Sequence, residues 1–174
     1  MTFARQILPL HAQNLFRWTT LQTGLIFLAF IPGSLFGPYF GTMIQGVGAK
    51  ALLVFACVMS ALAMAIISFA SENESVDVLL VVCACLIGGL SEPVFFAVSG
   101  SWVADIFEDK LQDTYSAKAR VMWASVIVNY AATAGAVIGP VVAGNFHDYL
   151  GWGETTRILS VVFWISGVVF WLFT

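Results

Sequence analysis

Residues 51–70 read ALLVFACVMSALAMAIISFA, twenty positions without one charged side chain. A helix of that length spans ~30 Å, the thickness of the hydrocarbon core of a bilayer. The run is apolar on every face, whereas a barrel strand would alternate polar and apolar side chains over ~10 residues. Four further apolar segments surround it, at 21–44, from 76 to beyond 103, at 121–144 and at 158–174. Short polar stretches separate them, so the sequence predicts an all-α polytopic bundle of about five transmembrane helices in one domain covering 1–174.

Composition agrees with this reading. Among 174 residues only 10% are charged and 60% are hydrophobic, and the mean hydropathy is +0.92. Soluble domains carry about 25% charge, so this chain cannot coat a water-soluble globule. Disorder is excluded too, because it requires low hydrophobicity and high charge. The seven Lys and Arg are scattered and outnumbered by ten Asp and Glu, which is not the footprint of a nucleic-acid binder. Cys57, Cys83 and Cys85 lie inside apolar runs, an odd number with no His or acidic neighbours placed for a metal. They read as packing residues. No phosphate-binding G-x4-G-K-[ST] loop occurs, and no cofactor is expected.

The polar punctuation sets orientation. Lys50, Lys110, Lys118 and Arg120 fall in loops 45–50 and 108–120, against Arg17 and Arg157 on the opposite side. That bias places the 45–50 and 108–120 loops in the cytoplasm. Asn73-Glu74-Ser75 is then an outward sequon, in a loop too short to favour its modification. The third segment is longer than one crossing needs, and 104–109, with Asp105, Glu108 and Asp109, is expected to emerge into water. Met1–Ala12 is too short to span and lacks the pattern of a secretory signal. It reads as the remnant of a preceding helix, and the odd number of spans suggests a truncated chain.

Gly135-Ala-Val-Ile-Gly139-Pro140-Val-Val-Ala-Gly144 is the most specific local pattern. Gly135 and Gly139 stack on one helix face and permit close helix packing, and Pro140 favours a bend. This G-x3-G-P-x3-G resembles motif C of the major facilitator superfamily, or its repeat-related counterpart. Gly41-Thr-Met-Ile-Gln45-Gly46-Val47-Gly48-Ala49-Lys50 is similar to the cytoplasmic loop motif A of that family. Gly41, Gly48 and Lys50 match it, while Gln45 stands where the family has Asp. Leu15-Phe16-Arg17-Trp18 with 23–28, and Gly151-Trp152-Gly153 with 172–174, look like helices 8 and 12 of fungal drug:proton antiporter-like members.

The resemblance implies that 15–174 corresponds to helices 8–12 of the C-terminal half, with helices 2–6 as the alternative register. It further implies proton-coupled exchange of a small organic solute, drug-like or a metabolite, in the plasma or the vacuolar membrane. The partners implied are the solute, protons, the lipid bilayer and a missing N-terminal half or partner chain. Gly41, Gly48 and Lys50 would form the gate loop; Gly135, Gly139, Pro140 and Gly144 would serve packing and bending. The rival reading is a truncated chain, or a half that transports only with a partner, since alternating access needs two repeats around one site.

Glu92 carries the residue-level argument. A carboxylate at bilayer depth costs ~3 kcal/mol, so it is either functional or neutralised. Near the middle of the third segment, with Pro93 beside it, Glu92 suits coupling to a proton or a substrate. A hydrogen-bonded structural Glu is the alternative, and the family resemblance assigns this position no role. Asn129 and Tyr130 are candidates for cavity lining, weighed against interhelical hydrogen bonding. Trp102, Trp123, Trp152, Trp164 and Trp171 fit interfacial anchors better than an aromatic pocket. An intramembrane hydrolase built on Ser99 and His147 is disfavoured, because the two fall on opposite sides of the expected topology.

Overall fold

The computed structural model describes Gln13 and residues 17–70, 74–111 and 116–173. The chain runs through α1 (Thr20–Ile26), a 3-10 turn (Phe27–Ala29), α2 (Phe30–Leu35), α3 (Gly37–Val47), α4 (Ala49–Ser68), α5 (Glu74–Leu111) and α6 (Ala117–Phe173). All regular structure among the described residues is helical. The Met1–Ala12 stub and Asn73 of the sequon lie outside the described residues.

The first apolar segment is not the single helix its composition predicts. It opens on a capping box, with the Thr19 N–H donating to Gln22 Oε1 at 2.9 Å and the Gln22 N–H to Thr19 Oγ1 at 3.3 Å. It then tightens to a 3-10 turn at Phe27–Ala29 and breaks once more at Phe36 (φ −80°, ψ −4°). The cause is local. Pro32 and Pro38 each remove a backbone donor, and Gly33 and Gly37 weaken the turns beside them. Backbone angles remain right-handed at both breaks, so the segment is a loosened helix rather than a loop.

Two predicted loops are shorter than expected. The 45–50 loop reduces to Gly48 alone (φ 87°, ψ 147°), because α3 runs to Val47 and α4 starts at Ala49. The Gly48 N–H still donates to the Ile44 carbonyl at 2.9 Å, and its own carbonyl accepts from Leu52 at 3.3 Å. The 145–157 loop is likewise helical apart from Gly151 (φ 78°, ψ 175°), which divides α6 into arms 117–150 and 152–173. Ile127 and Phe163 line one cavity. A straight helix would hold them ~54 Å apart at 1.5 Å per residue, so the chain doubles back at Gly151. The two arms are the fourth and fifth predicted spans.

Helix α4 is the central element. Over its most apolar stretch it buries 56% of its residues, against 39% for α5 and 6% for α6. Two apolar clusters mark the ends of the bundle. Leu52, Leu53, Ala56, Val94 and Val98 pack at the Gly48 end; Ile26, Phe30, Ala63, Ile67, Val81, Ala84, Cys85 and Trp152 pack at the Gly151 end. Among the described residues three helices are long and apolar enough to cross a membrane, Ala49–Ser68, Asp77–Asp109 and Ala117–Leu172. Asp105, Glu108 and Asp109 are exposed at the end of α5, where the chain was expected to leave the bilayer. The exposed apolar side chains of α6, Val137 and Val141 among them, suit lipid and would not suit water.

Buried hydroxyls stitch α4 to its neighbours. Ser60 Oγ donates to Ser91 Oγ at 3.0 Å, Ser91 Oγ to the Gly88 carbonyl at 2.9 Å, and Ser160 Oγ to the Ala61 carbonyl at 2.8 Å. Interhelical hydrogen bonds in membranes average ~0.6 kcal/mol. A double-mutant cycle of Ser60→Ala and Ser91→Ala, read from unfolding in mixed micelles, is expected to give a coupling of about that size. Additivity would show that this pair does not hold α4 to α5.

Candidate functional site

Glu92 sits at the middle of α5, whose sequence places side chains 92, 95/96, 99 and 102/103 on one face. Ser91, one residue earlier, turns to α4 and is fully buried there. Glu92 therefore points to the adjacent side, into the wall of a cavity of about 420 Å³. Four helical stretches enclose it. Leu53 comes from α4; Glu92, Phe95, Phe96, Ser99, Trp102 and Val103 from α5; Ile127, Val128, Ala131, Ala132 and Gly135 from the first arm; Phe163 and Phe170 from the second. Trp102 and Phe170 meet edge to face, with ring centroids 5.6 Å apart at 83°. Glu92 is half-buried, with Oε2 out of contact with solvent. Among the described residues that line this wall it is the one ionisable side chain.

A membrane bundle of this kind, with a carboxylate at mid-helix, is matched over residues 1–174 by the family model of the Major Facilitator Superfamily. The chain belongs to the major facilitator superfamily. It is an integral membrane protein, a transporter of the major facilitator kind, and members of this family are not enzymes. Neither the curated proteins nor the solved structures give a match to it.

The other residues singled out in this major facilitator sequence fall in different places. Asn129 and Tyr130 do not line the cavity, whose wall on this arm is the adjoining face at 127/128, 131/132 and 135. Asn129 Nδ2 donates to the Ser125 carbonyl at 2.9 Å, and Tyr130 is 74% exposed. Gly48 forms the break before α4, and Lys50 Nζ lies 5.4 Å over the Trp171 ring, tying the start of α4 to the end of the second arm. Gly41 lies within α3 rather than in a loop. Trp102 lines the cavity; Trp123, Trp164 and Trp171 are exposed, and Trp152 is buried.

The glycines of the G-x3-G-P pattern are not where this chain packs most tightly. Among the described residues a methyl group on Gly135, Gly139 or Gly144 would meet nothing within 4 Å, and Pro140 continues inside the helix. The close approach is between α2 and α5. A methyl on Gly33 would lie 2.8 Å from the Gly89 carbonyl oxygen, and one on Gly89 would lie 2.6 Å from the Phe30 carbonyl oxygen. In a regular helix the Gly89 carbonyl would accept the N–H of residue 93, which as Pro93 has none. The backbone of Gly33 occupies that side. Sequence reasoning missed this contact, although Pro32-Gly33 and Gly88-Gly89 inside apolar runs were its signal.

Ser99 and His147 are not brought together. Ser99 shares the cavity wall with Leu53 near the start of α4. His147 instead meets Trp152, with ring centroids 6.0 Å apart, and Trp152 packs in the cluster with Ile67 and Ala70 at the other end of α4.

Proposed function

We propose that this chain performs secondary active transport, exchanging a small organic solute for protons, with Glu92 as the group that couples the two. The observation that carries the reading is the position of Glu92, midway along the longest uninterrupted helix and in the wall of a cavity bounded by α4, α5 and both arms of α6. An ionisable side chain at such depth is costly, and transporters place theirs on substrate and proton paths. In this reading the part is that of helices 8–12 of the antiporter-like group. Gly41, Gly48 and Lys50 serve the cytoplasmic gate. Asn129 and Tyr130, both exposed, line the central cavity on the side facing the opposing repeat, and Gly135, Gly139, Pro140 and Gly144 offer that repeat a close-packing face.

The test is solute-driven proton movement in proteoliposomes containing the full chain and a trapped pH-sensitive dye, challenged with a panel of organic cations, neutral solutes and anions. Glu92→Gln is expected to reduce proton flux by tenfold or more, and Glu92→Asp to retain part of it. Solute exchange with proton flux unchanged in Glu92→Gln would remove Glu92 from the mechanism.

A second reading, a half that works only with further helices, is favoured by a separate observation. Among the described residues the 117–150 arm buries only Ala124 and Ala143, and a methyl group added at Gly135, Gly139 or Gly144 would meet none of them within 4 Å. Native mass measurement of the complex extracted from its membrane separates the two readings: a single chain that transports supports the first, a stoichiometric partner the second.

A further inference from the structure

We infer that Asp77 and His147 share one proton in a buried layer that closes the Gly151 end of the bundle, away from the Glu92 cavity.

The register of two helices brings the pair together. Val81 of α5 and Ala143 of the first α6 arm belong to one buried cluster, and Phe96 and Val128 of the same two helices line one cavity. Fifteen residues separate Val81 from Phe96, and fifteen separate Val128 from Ala143. The helices therefore hold one antiparallel register over about four turns. One turn further out, four residues before Val81 and four after Ala143, that register sets Asp77 level with His147.

Burial supports the pairing. Asp77 is only 1% exposed, and its Oδ2 is out of contact with solvent, as is His147 Nδ1. The His147 ring meets Trp152 edge to face at 6.0 Å, and Trp152 packs in the cluster with Val81 and Ala143. The other charged groups at this end are Glu74, which opens α5, and Arg17, Asp148, Glu154 and Arg157, which are all exposed. Glu154 and Arg157 pair with each other at 2.6 Å. The end of α4 brings Ile67, Ser68 and Ala70, none of them charged.

A carboxyl and an imidazole holding one proton between them are neutral as a pair, whichever of the two carries it, and they titrate as a unit. Removing that proton leaves a net negative charge in the layer, and adding a second leaves a net positive one. Either is costly where water is excluded. Closure is therefore greatest at intermediate pH and is lost on both sides. This inference is independent of the role proposed for Glu92.

The test is the distance between α5 and the first arm. Oxime-linked spin labels on p-acetylphenylalanine at positions 79 and 149, where Leu79 and Tyr149 are exposed, leave the cysteines untouched. The full chain, carrying Glu74→Gln to remove the carboxyl nearest in sequence, is measured in lipid nanodiscs from about pH 4 to about pH 9, a span that covers ordinary carboxyl and imidazole titration. The short-distance population is expected to peak between these limits and to fall several-fold towards each. Asp77→Asn leaves the imidazole alone, so its chain should open only towards acid. His147→Gln leaves the carboxyl alone, so its chain should open only towards alkali. The double variant Asp77→Asn/His147→Gln is neutral throughout and should stay closed with no pH dependence. A pH-independent or one-sided profile in the chain with both residues would overturn the inference, as would a double variant that keeps the two-sided profile. Those two chains decide the matter even if a single variant does not fold.

Discussion

Replacing Gly89 with leucine is expected to detach α2 from α5 and to destabilise the bundle by ~3 kcal/mol or more. The reason is what the new side chain would meet. The Cβ position at Gly89 lies 2.6 Å from the Phe30 carbonyl oxygen and 3.0 Å from the Phe30 Cα, both backbone atoms. Neither can rotate away, so the helices themselves must separate. Separation would open the cluster in which Ile26 and Phe30 pack on Val81, Ala84 and Cys85. In lipid that loss is chiefly one of van der Waals contact, because lipid tails offer apolar groups an equally apolar surrounding. The change should appear as a lowered unfolding midpoint in detergent, with Gly33→Leu behaving alike. Gly139→Ala is the control: its added methyl meets nothing within 4 Å, and alanine is the better helix former. A Gly89→Leu variant that melts with the unmodified chain would show that the α2–α5 approach is not a source of stability.

Gly151→Ala is expected to cost about 1–3 kcal/mol for a different reason. A methyl at Gly151 has open space around it, so sterics with neighbours contribute nothing. The cost is torsional, since φ 78° with ψ 175° is a conformation that only glycine adopts readily. Gly151 is also where α6 doubles back, so relieving the strain by moving into the helical region would straighten the chain. Straightening would carry Phe163 and Phe170 away from Ile127, Val128 and Trp102, dismantling the cavity. Spin labels at positions 127 and 163 should therefore report a longer or broader distance in Gly151→Val than in the unmodified chain. Gly48→Ala (φ 87°, ψ 147°) carries the same torsional cost at the opposite end of the bundle. An unshifted label distance in Gly151→Val would mean that helix packing, and not the glycine, sets the turn.

The two predictions separate what could be read in advance from what could not. Span 51–70 was legible because twenty uncharged apolar residues have one economical state in a bilayer, and α4 occupies 49–68. The first segment was misread as one helix because hydropathy does not register the donors that Pro32 and Pro38 remove. The loop lengths at Gly48 and Gly151 were overestimated for a related reason. Polar residues were taken as loop, yet helix continues through them until a glycine permits a positive φ.

The glycine pattern at 135–144 drew attention by its regularity, while Gly33 and Gly89 make the tight contact. Spacing within one helix states which residues share a face; it does not state which face a neighbour covers. Asn129 and Tyr130 lie one and two positions past Val128, on the face beside the wall of the Glu92 cavity.

By itself, then, the sequence determined that this protein lives in lipid, that it is helical, and that Glu92 stands in the middle of a long apolar segment. Each follows from local chemistry: the cost of exposing or burying a given side chain depends on the residue and its near neighbours along the chain. Only the tertiary structure decided that Glu92 looks into an aromatic cavity. That outcome depends on Leu53, the α5 face, Ile127 to Gly135, Phe163 and Phe170 converging from segments distant along the chain. Convergence of that kind is set by where Gly151 turns α6 back and how α4 packs against α5 and α6, and neither is encoded in the period of any one helix.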